Sequence, residues 1–215
     1  PYNKEELHTI LKELAHRNQL PESGMRMILT GGYSPDAYQP VAPNFIVMQS
    51  PLVVPDVATP KSVSIITHEF VRDIPEAKTI NYTMGIWLQP KLKEQQADDV
   101  LYHRNGVVTE FPRCNFFIVK KDGRVVTPAR HALKGVTRKR VLELARLGYA
   151  VAEGEVTLTD VMEAKEAFLT SSTKRIQSIV KIDGRFVGDG TPGKVTTQLL
   201  SELVKAEQRY ISEKR

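Results

Sequence analysis

Val108-Thr-Glu-Phe-Pro-Arg-Cys-Asn-Phe-Phe117 is the stretch of sequence that decides the fold. It lies between two turn dipeptides, Asn105-Gly106 and Asp122-Gly123, and the apolar runs on either side of each dipeptide predict a β-hairpin. The four predicted strands are 99–103, 107–109, 116–120 and 124–127. The stretch therefore predicts a loop between two hairpins, and this loop carries one carboxylate, Glu110.

Helices and further strands flank these hairpins along the chain. Apolar periodicity predicts helices over 81–94, 136–147, 161–163 and 192–212. Short apolar runs predict strands over 62–68, 167–170 and 176–182. This order lacks the regular strand–helix alternation of a parallel sheet, so it favours an α+β, barrel-like domain over a doubly wound fold.

A proline-rich segment divides the chain. Residues 51–60 contain three prolines, which stiffen a chain and break strand ladders, so they predict an interdomain linker. The domain before it, 1–50, is predicted to hold one amphipathic helix and two strands: 3–18, 25–29 and 44–49. The domain after it is 61–215. Because a helix with Asn3 as N-cap begins almost at once, we expect the sequence to start inside a domain.

The composition is that of an ordinary globular protein, with 41% hydrophobic and 26% charged residues. A single cysteine, Cys114, excludes an intramolecular disulfide and a multi-cysteine metal site, so we predict no metal and a reducing, cytoplasmic setting. No apolar run has the length of a membrane span. The net charge is +5, but the lysines and arginines are scattered, which fits small anions better than nucleic acid.

Two charged residues are candidates for chemistry. Lys78 lies in Arg72-Asp-Ile-Pro-Glu-Ala-Lys78, just before a predicted helix. A lone lysine is usually a solvated surface residue, whereas a lysine with a suitable environment can form a Schiff base. Glu110 is either an ordinary turn carboxylate or a partner for a cofactor's ring nitrogen.

Two further stretches are candidates for phosphate binding. Leu133-Lys-Gly-Val-Thr-Arg138 opens a helix, and the free N–H groups at a helix N-terminus attract anions. Thr170-Ser-Ser-Thr173 places hydroxyl groups directly after a predicted strand. Taken alone, each pattern is also typical of an ordinary helix cap or a polar turn.

Together these stretches resemble the class IV aminotransferases, the fold type IV group of pyridoxal-phosphate (PLP) enzymes. The group includes D-amino-acid transaminases, branched-chain aminotransferases and aminodeoxychorismate lyase. The resemblance covers essentially the whole chain, and its motifs are specific as a set. The matching stretches are Lys78-Thr-Ile-Asn-Tyr82, Val108-Thr-Glu-Phe-Pro-Arg-Cys-Asn-Phe-Phe117, Leu133-Lys-Gly-Val-Thr-Arg138, Phe168-Leu-Thr-Ser-Ser-Thr173 and Ile182-Asp-Gly-Arg185 through Asp189-Gly190.

The resemblance implies a cofactor, a fold and a role for each matching residue. The cofactor is PLP. The fold is a two-domain one, with an N-terminal α/β part that is incomplete in this chain and a C-terminal, cofactor-binding pseudo-barrel. Lys78 would form the Schiff base and move the proton, and Glu110 would pair with the pyridine nitrogen. The other implied contacts are Leu133 under the ring and Val136, Thr137, Ser171 and Ser172 around the phosphate.

Two departures from the family pattern affect the expected site. The family has several dozen more residues before the point where this sequence begins, including an arginine that grips the phosphate, and we expect that the sequence omits them. The loop that traps the substrate carboxylate in D-amino-acid transaminases resembles Gly32-Tyr-Ser-Pro-Asp-Ala-Tyr38, with Asp36 and Tyr38 in place of the usual cationic pair. We therefore predict that Arg113, beside Glu110, binds the substrate carboxylate.

The expected activity is a ping-pong transfer of an amino group between a D-amino acid, such as D-alanine or D-glutamate, and a 2-oxo acid. A branched-chain L-amino-acid aminotransferase is the first alternative, and an aminodeoxychorismate lyase is the second. A non-catalytic binding module on the same scaffold stays open at this point. The resemblance also implies a homodimer, and we expect no nucleic-acid or membrane partner.

Overall fold

The computed structural model of the protein describes residues 2–53 and 60–214. Backbone contacts divide the chain into two units, Pro1–Asp56 and Val57–Arg215. Most of the predicted linker, residues 54–59, lies outside the described residues. At its start the structure differs from the prediction, because Pro51 is the last residue of a strand and pairs with Ser23.

The first unit contains one helix and a two-stranded antiparallel sheet: α1 (Lys4–Asn18), β1 (Ser23–Leu29) and β2 (Phe45–Pro51). The predicted N-cap is confirmed, because the Asn3 side chain accepts a hydrogen bond from the Glu6 N–H at 2.8 Å. The Glu6 carboxylate accepts one from the Asn3 N–H in return. This reciprocal pair fixes the start of α1.

The second unit contains five helices and nine strands in the part of the chain that the structure describes. The helices are α2 (Thr83–Trp87), α3 (Gln89–Glu94), α4 (Val136–Ala145), α5 (Leu158–Met162) and α6 (Lys194–Lys214). The strands are β3 (Ser62–Glu69), β4 (Asp99–Arg104), β5 (Val107–Val108), β6 (Asn115–Val119), β7 (Val125–Pro128), β8 (Val151–Gly154), β9 (Glu166–Ser171), β10 (Arg175–Ile182) and β11 (Arg185–Phe186). Within these described segments, no helix combines the length and the apolar character needed to cross a membrane.

All strands of this unit join one mixed sheet. Its order is β5-β4-β3-β10-β9-β6-β7-β8, and β11 pairs with β10. Both predicted hairpins are confirmed, β4 with β5 and β6 with β7. The pairs β3–β4, β3–β10 and β7–β8 are parallel. The mixed sheet agrees with the predicted α+β class.

β10 is the strand that joins the two halves of this sheet. It pairs in parallel with β3 on one side and antiparallel with β9 on the other. The pairing with β3 shifts register between Ile179 and Lys181. Asp183, just after β10, reinforces the pairing by accepting hydrogen bonds from the N–H and the hydroxyl of Thr67, at 2.8 and 2.7 Å.

Two predicted elements differ from the observed ones. The single helix predicted over 81–94 is two short helices, α2 and α3, because Pro90 lacks the N–H that a continuous helix would need. The short helix predicted at 161–163 lies earlier, at Leu158–Met162, where Thr157 and Asp160 cap it reciprocally. The prediction also missed β8, a four-residue strand next to β7.

The central strands are buried on both faces. Successive residues of β9 belong to different apolar clusters, since Ala167 and Leu169 pack on one face and Phe168 packs on the other. Phe168 stacks on Phe117 of β6 with ring centroids 4.9 Å apart, under α4 and α6. This packing fixes the ends of β6 and β9 beside the start of α4.

Candidate active site

An open cavity of about 290 Å³ lies where β6 begins, β9 ends and α4 begins. All eight residues predicted from the sequence line it: Lys78, Glu110, Arg113, Leu133, Val136, Thr137, Ser171 and Ser172. These residues come from separate loops and strand ends, and the fold brings them together. Arg72, Cys114, Asn115, Gly135 and Thr170 also line the cavity.

Glu110 forms one end of the cavity and is 4% exposed. Its Oε1 accepts a hydrogen bond from Arg72 Nε at 2.7 Å, and its Oε2 accepts one from the Leu133 N–H at 2.8 Å. Burial raises the pKa of this carboxyl above its usual value, and the Leu133 N–H, Arg72 and Lys78 offset only part of that rise. Because each carboxylate oxygen can accept about two hydrogen bonds, Glu110 keeps acceptor capacity for a cationic ring N–H.

The start of α4 forms another wall of the cavity. Gly135 is its N-cap, and no side chain caps the helix there. The first helical N–H groups, of Val136 and Thr137, are therefore available to an anion, and the helix dipole favours negative charge at this end. The Thr137 hydroxyl lies in the same first turn.

Asn115 fixes the backbone that leads into α4. This buried side chain donates from Nδ2 to the Leu133 carbonyl at 2.6 Å. Its Oδ1 lies so close to Gly135 that a Cβ on that residue would overlap it. Glycine is thus required here by the close approach of a side chain rather than by an unusual backbone angle.

The end of β9 adds hydroxyl groups to the cavity wall. Thr170 pairs with Asn115 across the sheet, and its hydroxyl is buried without a hydrogen-bond partner among the described residues. Ser171 accepts a hydrogen bond from the Lys174 N–H at 3.2 Å. Burial raises the pKa of the Cys114 thiol to about 11, which disfavours the thiolate form.

Lys78 and Arg113 are exposed at the cavity and supply cationic groups near Glu110. The cavity therefore combines a primary amine, a buried carboxylate and a helix N-terminus flanked by hydroxyl groups. An amine can bond to a carbonyl, the carboxylate can pair with a protonated ring nitrogen, and the helix start can hold a phosphate.

A family model, described as amino-transferase class IV, matches residues 1–182. The chain belongs to the class IV aminotransferases. The D-alanine aminotransferase of Listeria monocytogenes is 32% identical over an alignment of 224 positions, gaps included. The alignment covers 99% of this chain and 77% of that enzyme. The branched-chain-amino-acid aminotransferase-like protein 2 of Arabidopsis thaliana is 38% identical over 110 residues, covering 50% of this chain and 20% of that protein.

A solved branched-chain amino acid aminotransferase from T.th., with pyridoxamine 5'-phosphate, superposes with a TM-score of 0.84. It is 25% identical, and the match covers 96% of this chain and 72% of that one. These comparisons confirm the predicted family, fold and cofactor. The protein is a PLP-dependent aminotransferase.

The cavity of this class IV aminotransferase fits PLP on independent structural grounds. The uncapped start of α4 and the buried Thr170 hydroxyl suit a phosphate. At the other end, the buried Glu110 carboxylate suits a pyridine nitrogen. The amine of Lys78 lines the same cavity.

The sequence prediction for this aminotransferase site missed Arg72, Asn115 and Thr170. All three lie inside the stretches that were quoted for other residues. The sequence did carry a signal for Asn115. It is the one polar residue of an otherwise apolar strand, Asn115-Phe-Phe-Ile-Val119, and a buried polar side chain is expected to have a hydrogen-bond partner. Arg72 gave no such signal, because an arginine in a polar loop is usually solvated.

The loop predicted to replace the carboxylate trap has its own internal structure. Asp36 accepts hydrogen bonds from the Ser34 hydroxyl and from the N–H groups of Tyr38 and Gln39. The Ser34 hydrogen bond, followed by the two backbone N–H groups, lowers the pKa of Asp36 to about 2. Asp36 therefore stabilises the turn of its own loop.

Proposed function

We propose that this aminotransferase moves an amino group between a D-amino acid, such as D-alanine or D-glutamate, and a 2-oxo acid. The observation that carries the proposal is the similarity to D-alanine aminotransferases over 94% or more of the chain, at 29–32% identity. A guanidinium in the cavity, Arg113, is consistent with it, since the carboxylate of an amino-acid substrate of either hand pairs with a cation.

In this proposal Lys78 and Glu110 carry the chemistry. Bound PLP supplies an electron-withdrawing ring, which stabilises the charge that remains when the substrate loses its Cα proton. Lys78 would hold the cofactor through Nζ until the substrate amine replaces it, and the freed Lys78 amine would then carry the proton to and from the substrate's Cα. Glu110, ionised and buried, keeps a proton on the facing ring nitrogen and so maintains the electron demand of the ring.

The phosphate is assigned to the start of α4 and the end of β9. The N–H groups of Val136 and Thr137 and the hydroxyls of Thr137, Ser171 and Ser172 are its proposed partners. Leu133, whose N–H donates to Glu110, would contact the cofactor ring. The residues assigned to the phosphate and the carboxylate assigned to the ring nitrogen would then be linked through one short backbone segment, 133–136.

Arg113 is assigned to the substrate α-carboxylate. A planar guanidinium binds a carboxylate through two parallel hydrogen bonds, a geometry that an ammonium does not provide. If proton transfer occurs on one face of the cofactor, the side of the pocket that holds the carboxylate decides which enantiomer reacts. A cation in the loop that also carries Glu110 is therefore a determinant of handedness.

A branched-chain L-amino-acid aminotransferase is the second candidate. The observation that favours it is the higher identity, 38%, to the Arabidopsis branched-chain-like protein over half of the chain. An aminodeoxychorismate lyase is the third, and it differs from both because it needs no 2-oxo acid acceptor.

The deciding experiment is an amino-donor profile of the purified holoenzyme. D-alanine, D-glutamate, L-leucine and L-valine are each supplied with 2-oxoglutarate or pyruvate, and initial rates are compared at matched concentrations. We expect the largest kcat/KM for a D-amino acid. A larger kcat/KM for L-leucine or L-valine would overturn the D-specific proposal, and turnover of aminodeoxychorismate without an acceptor would favour the lyase.

We also propose that the enzyme is a homodimer. Four large apolar side chains in one segment, Ile74, Ile80, Ile86 and Trp87, are each between 62% and 69% exposed. Clustered exposed apolar side chains are typical of protein interfaces. Light scattering coupled to size exclusion should give twice the chain mass, and a monomer mass would contradict the proposal.

A further inference from the structure

Arg72 makes four contacts that converge on the two groups proposed for chemistry. Its Nε and Nη2 atoms lie 2.7 and 2.6 Å from the same Glu110 oxygen, Oε1. Its Nη1 donates to the Ala77 carbonyl at 3.1 Å, and its Nη2 donates to the Pro75 carbonyl. The side chain is only 12% exposed, so these contacts are largely shielded from water.

The first pair of contacts concerns the charge of Glu110. A buried carboxylate is destabilised by the loss of its hydration, and burial is the largest influence on the pKa of Glu110. Arg72 is the one residue whose charge and hydrogen bond both lower that pKa. The other titratable or charged side chains that line this region are Lys78, Tyr82, Arg113, Cys114 and Lys134 in the cavity and Asp73 and Tyr102 beside it, and burial raises the pKa of Tyr102 to about 12.

The second pair of contacts concerns the backbone before Lys78. Pro75 and Ala77 lie three residues and one residue before the lysine, and both of their carbonyls accept from Arg72. The Ala77 N–H donates to the Ile74 carbonyl at 3.1 Å, which closes a turn in the same segment. Arg72 therefore folds the loop 73–77 around its own guanidinium, and Lys78 follows directly.

We infer that Arg72 is a positioning residue that keeps the Glu110 carboxylate ionised and fixes the loop that presents Lys78. This inference rests on the proposed roles of Lys78 and Glu110. One side chain then sets both the charge opposite the ring nitrogen and the position of the reactive amine. Substitution of Arg72 should disturb the two groups together, although neither is altered itself.

Two readouts on the cofactor-free protein test this inference without any use of activity. The first is the titration of the Glu110 carboxylate, followed by ¹³C NMR of labelled glutamate and assigned with Glu110→Gln. The second is hydrogen exchange at the Ala77 amide. Both are measured in the wild type, Arg72→Met and Arg72→Lys. The matched control is Arg124→Met, which removes an exposed arginine that pairs with Asp122 in a hairpin turn.

We expect Glu110 to titrate at higher pH in Arg72→Met than in the wild type, and Ala77 to exchange at least about tenfold faster. In Arg72→Lys, Glu110 should titrate close to its wild-type pH, because the positive charge is kept. Ala77 should still exchange fast, because an ammonium does not reproduce the guanidinium's hydrogen bonds to the Pro75 and Ala77 carbonyls. The control should match the wild type in both readouts. If Arg72→Met does not fold, Arg72→Lys alone tests the inference, because it should leave the Glu110 titration nearly unchanged and still speed up Ala77 exchange.

Unchanged Glu110 titration and unchanged Ala77 exchange in the folded Arg72 variants would overturn the inference. Failure of the proposed function is a separate outcome. If Lys78 and Glu110 variants keep full turnover, the proposed roles are wrong, while the two cofactor-free readouts still report whether Arg72 controls this carboxylate and this loop.

Discussion

Gly135→Ala is the substitution for which the structure gives the clearest expected cost. The added Cβ would overlap Asn115 Oδ1, so either the asparagine or the start of α4 must move. Overpacking of a tight site costs about 1–3 kcal/mol. Movement of Asn115 also endangers its 2.6 Å hydrogen bond to the Leu133 carbonyl, worth about 1 kcal/mol. We therefore expect a loss of about 2–4 kcal/mol, shared between stability and cofactor binding.

The two shares can be measured separately. Thermal unfolding of the cofactor-free protein gives the first, and a loss of about 2 kcal/mol corresponds to about 4–8 °C in Tm for a chain of this size. Titration with PLP gives the second, and displacement of one charge-assisted hydrogen bond should weaken the Kd by about one to two decades. Gly148→Ala is the matched control, since an added Cβ there would meet nothing within 4 Å.

A double variant identifies the cause. Asn115→Ala removes the atom that the new Cβ meets, so Gly135→Ala should cost much less in that background than in the wild type. The reasoning is refuted if Gly135→Ala binds PLP within twofold of the wild type and melts at the same temperature. It is also refuted if the control loses as much affinity.

Four further substitutions test the assigned roles. Lys78→Ala should abolish turnover and the near-visible absorption of lysine-bound PLP. Retention of both would show that Lys78 does not bind the cofactor. Glu110→Gln should lower kcat by at least about tenfold with a smaller change in PLP affinity, and an unchanged kcat would contradict the role. Thr137→Val should weaken PLP binding by about one to two decades, unless the phosphate lies elsewhere. Arg113→Ala should raise KM for the amino donor at least about tenfold and leave the cofactor absorption unchanged. An unchanged KM would show that Arg113 does not bind the substrate carboxylate.

Eight residues of the cavity could be predicted from the sequence because they lie in short motifs that resemble those of the class IV aminotransferases. Glu110, Val136 and Ser171 belong to three such motifs, and the fold brings all three to one cavity. The hairpins were equally predictable, since Asn105-Gly106 and Asp122-Gly123 both encode their turns locally.

What could not be predicted depends on contacts between distant residues. Arg72 and Glu110 are 38 residues apart, and their pairing exists only because β3 and β4 lie side by side. Asp36 shows the opposite case, since its hydrogen bonds are to Ser34, Tyr38 and Gln39 of its own loop. The run Ser34-Pro-Asp-Ala-Tyr38 already carried the signal of a turn that an aspartate closes.

The position of β10 in the sheet determines when this site can exist during folding. β3 leads to Lys78, and β9 ends in the serines assigned to the phosphate, yet the two strands meet only through β10. The Thr67–Asp183 hydrogen bonds, which help to close that junction, span 116 residues. A nascent chain that ends before β10 can pair β6, β7 and β9 and can form α4, and its β5 can contact residues 156–158, but no strand yet joins β3 to β9. Because contacts of such long range form slowly, the junction that unites the amine with the phosphate cradle is expected late in folding.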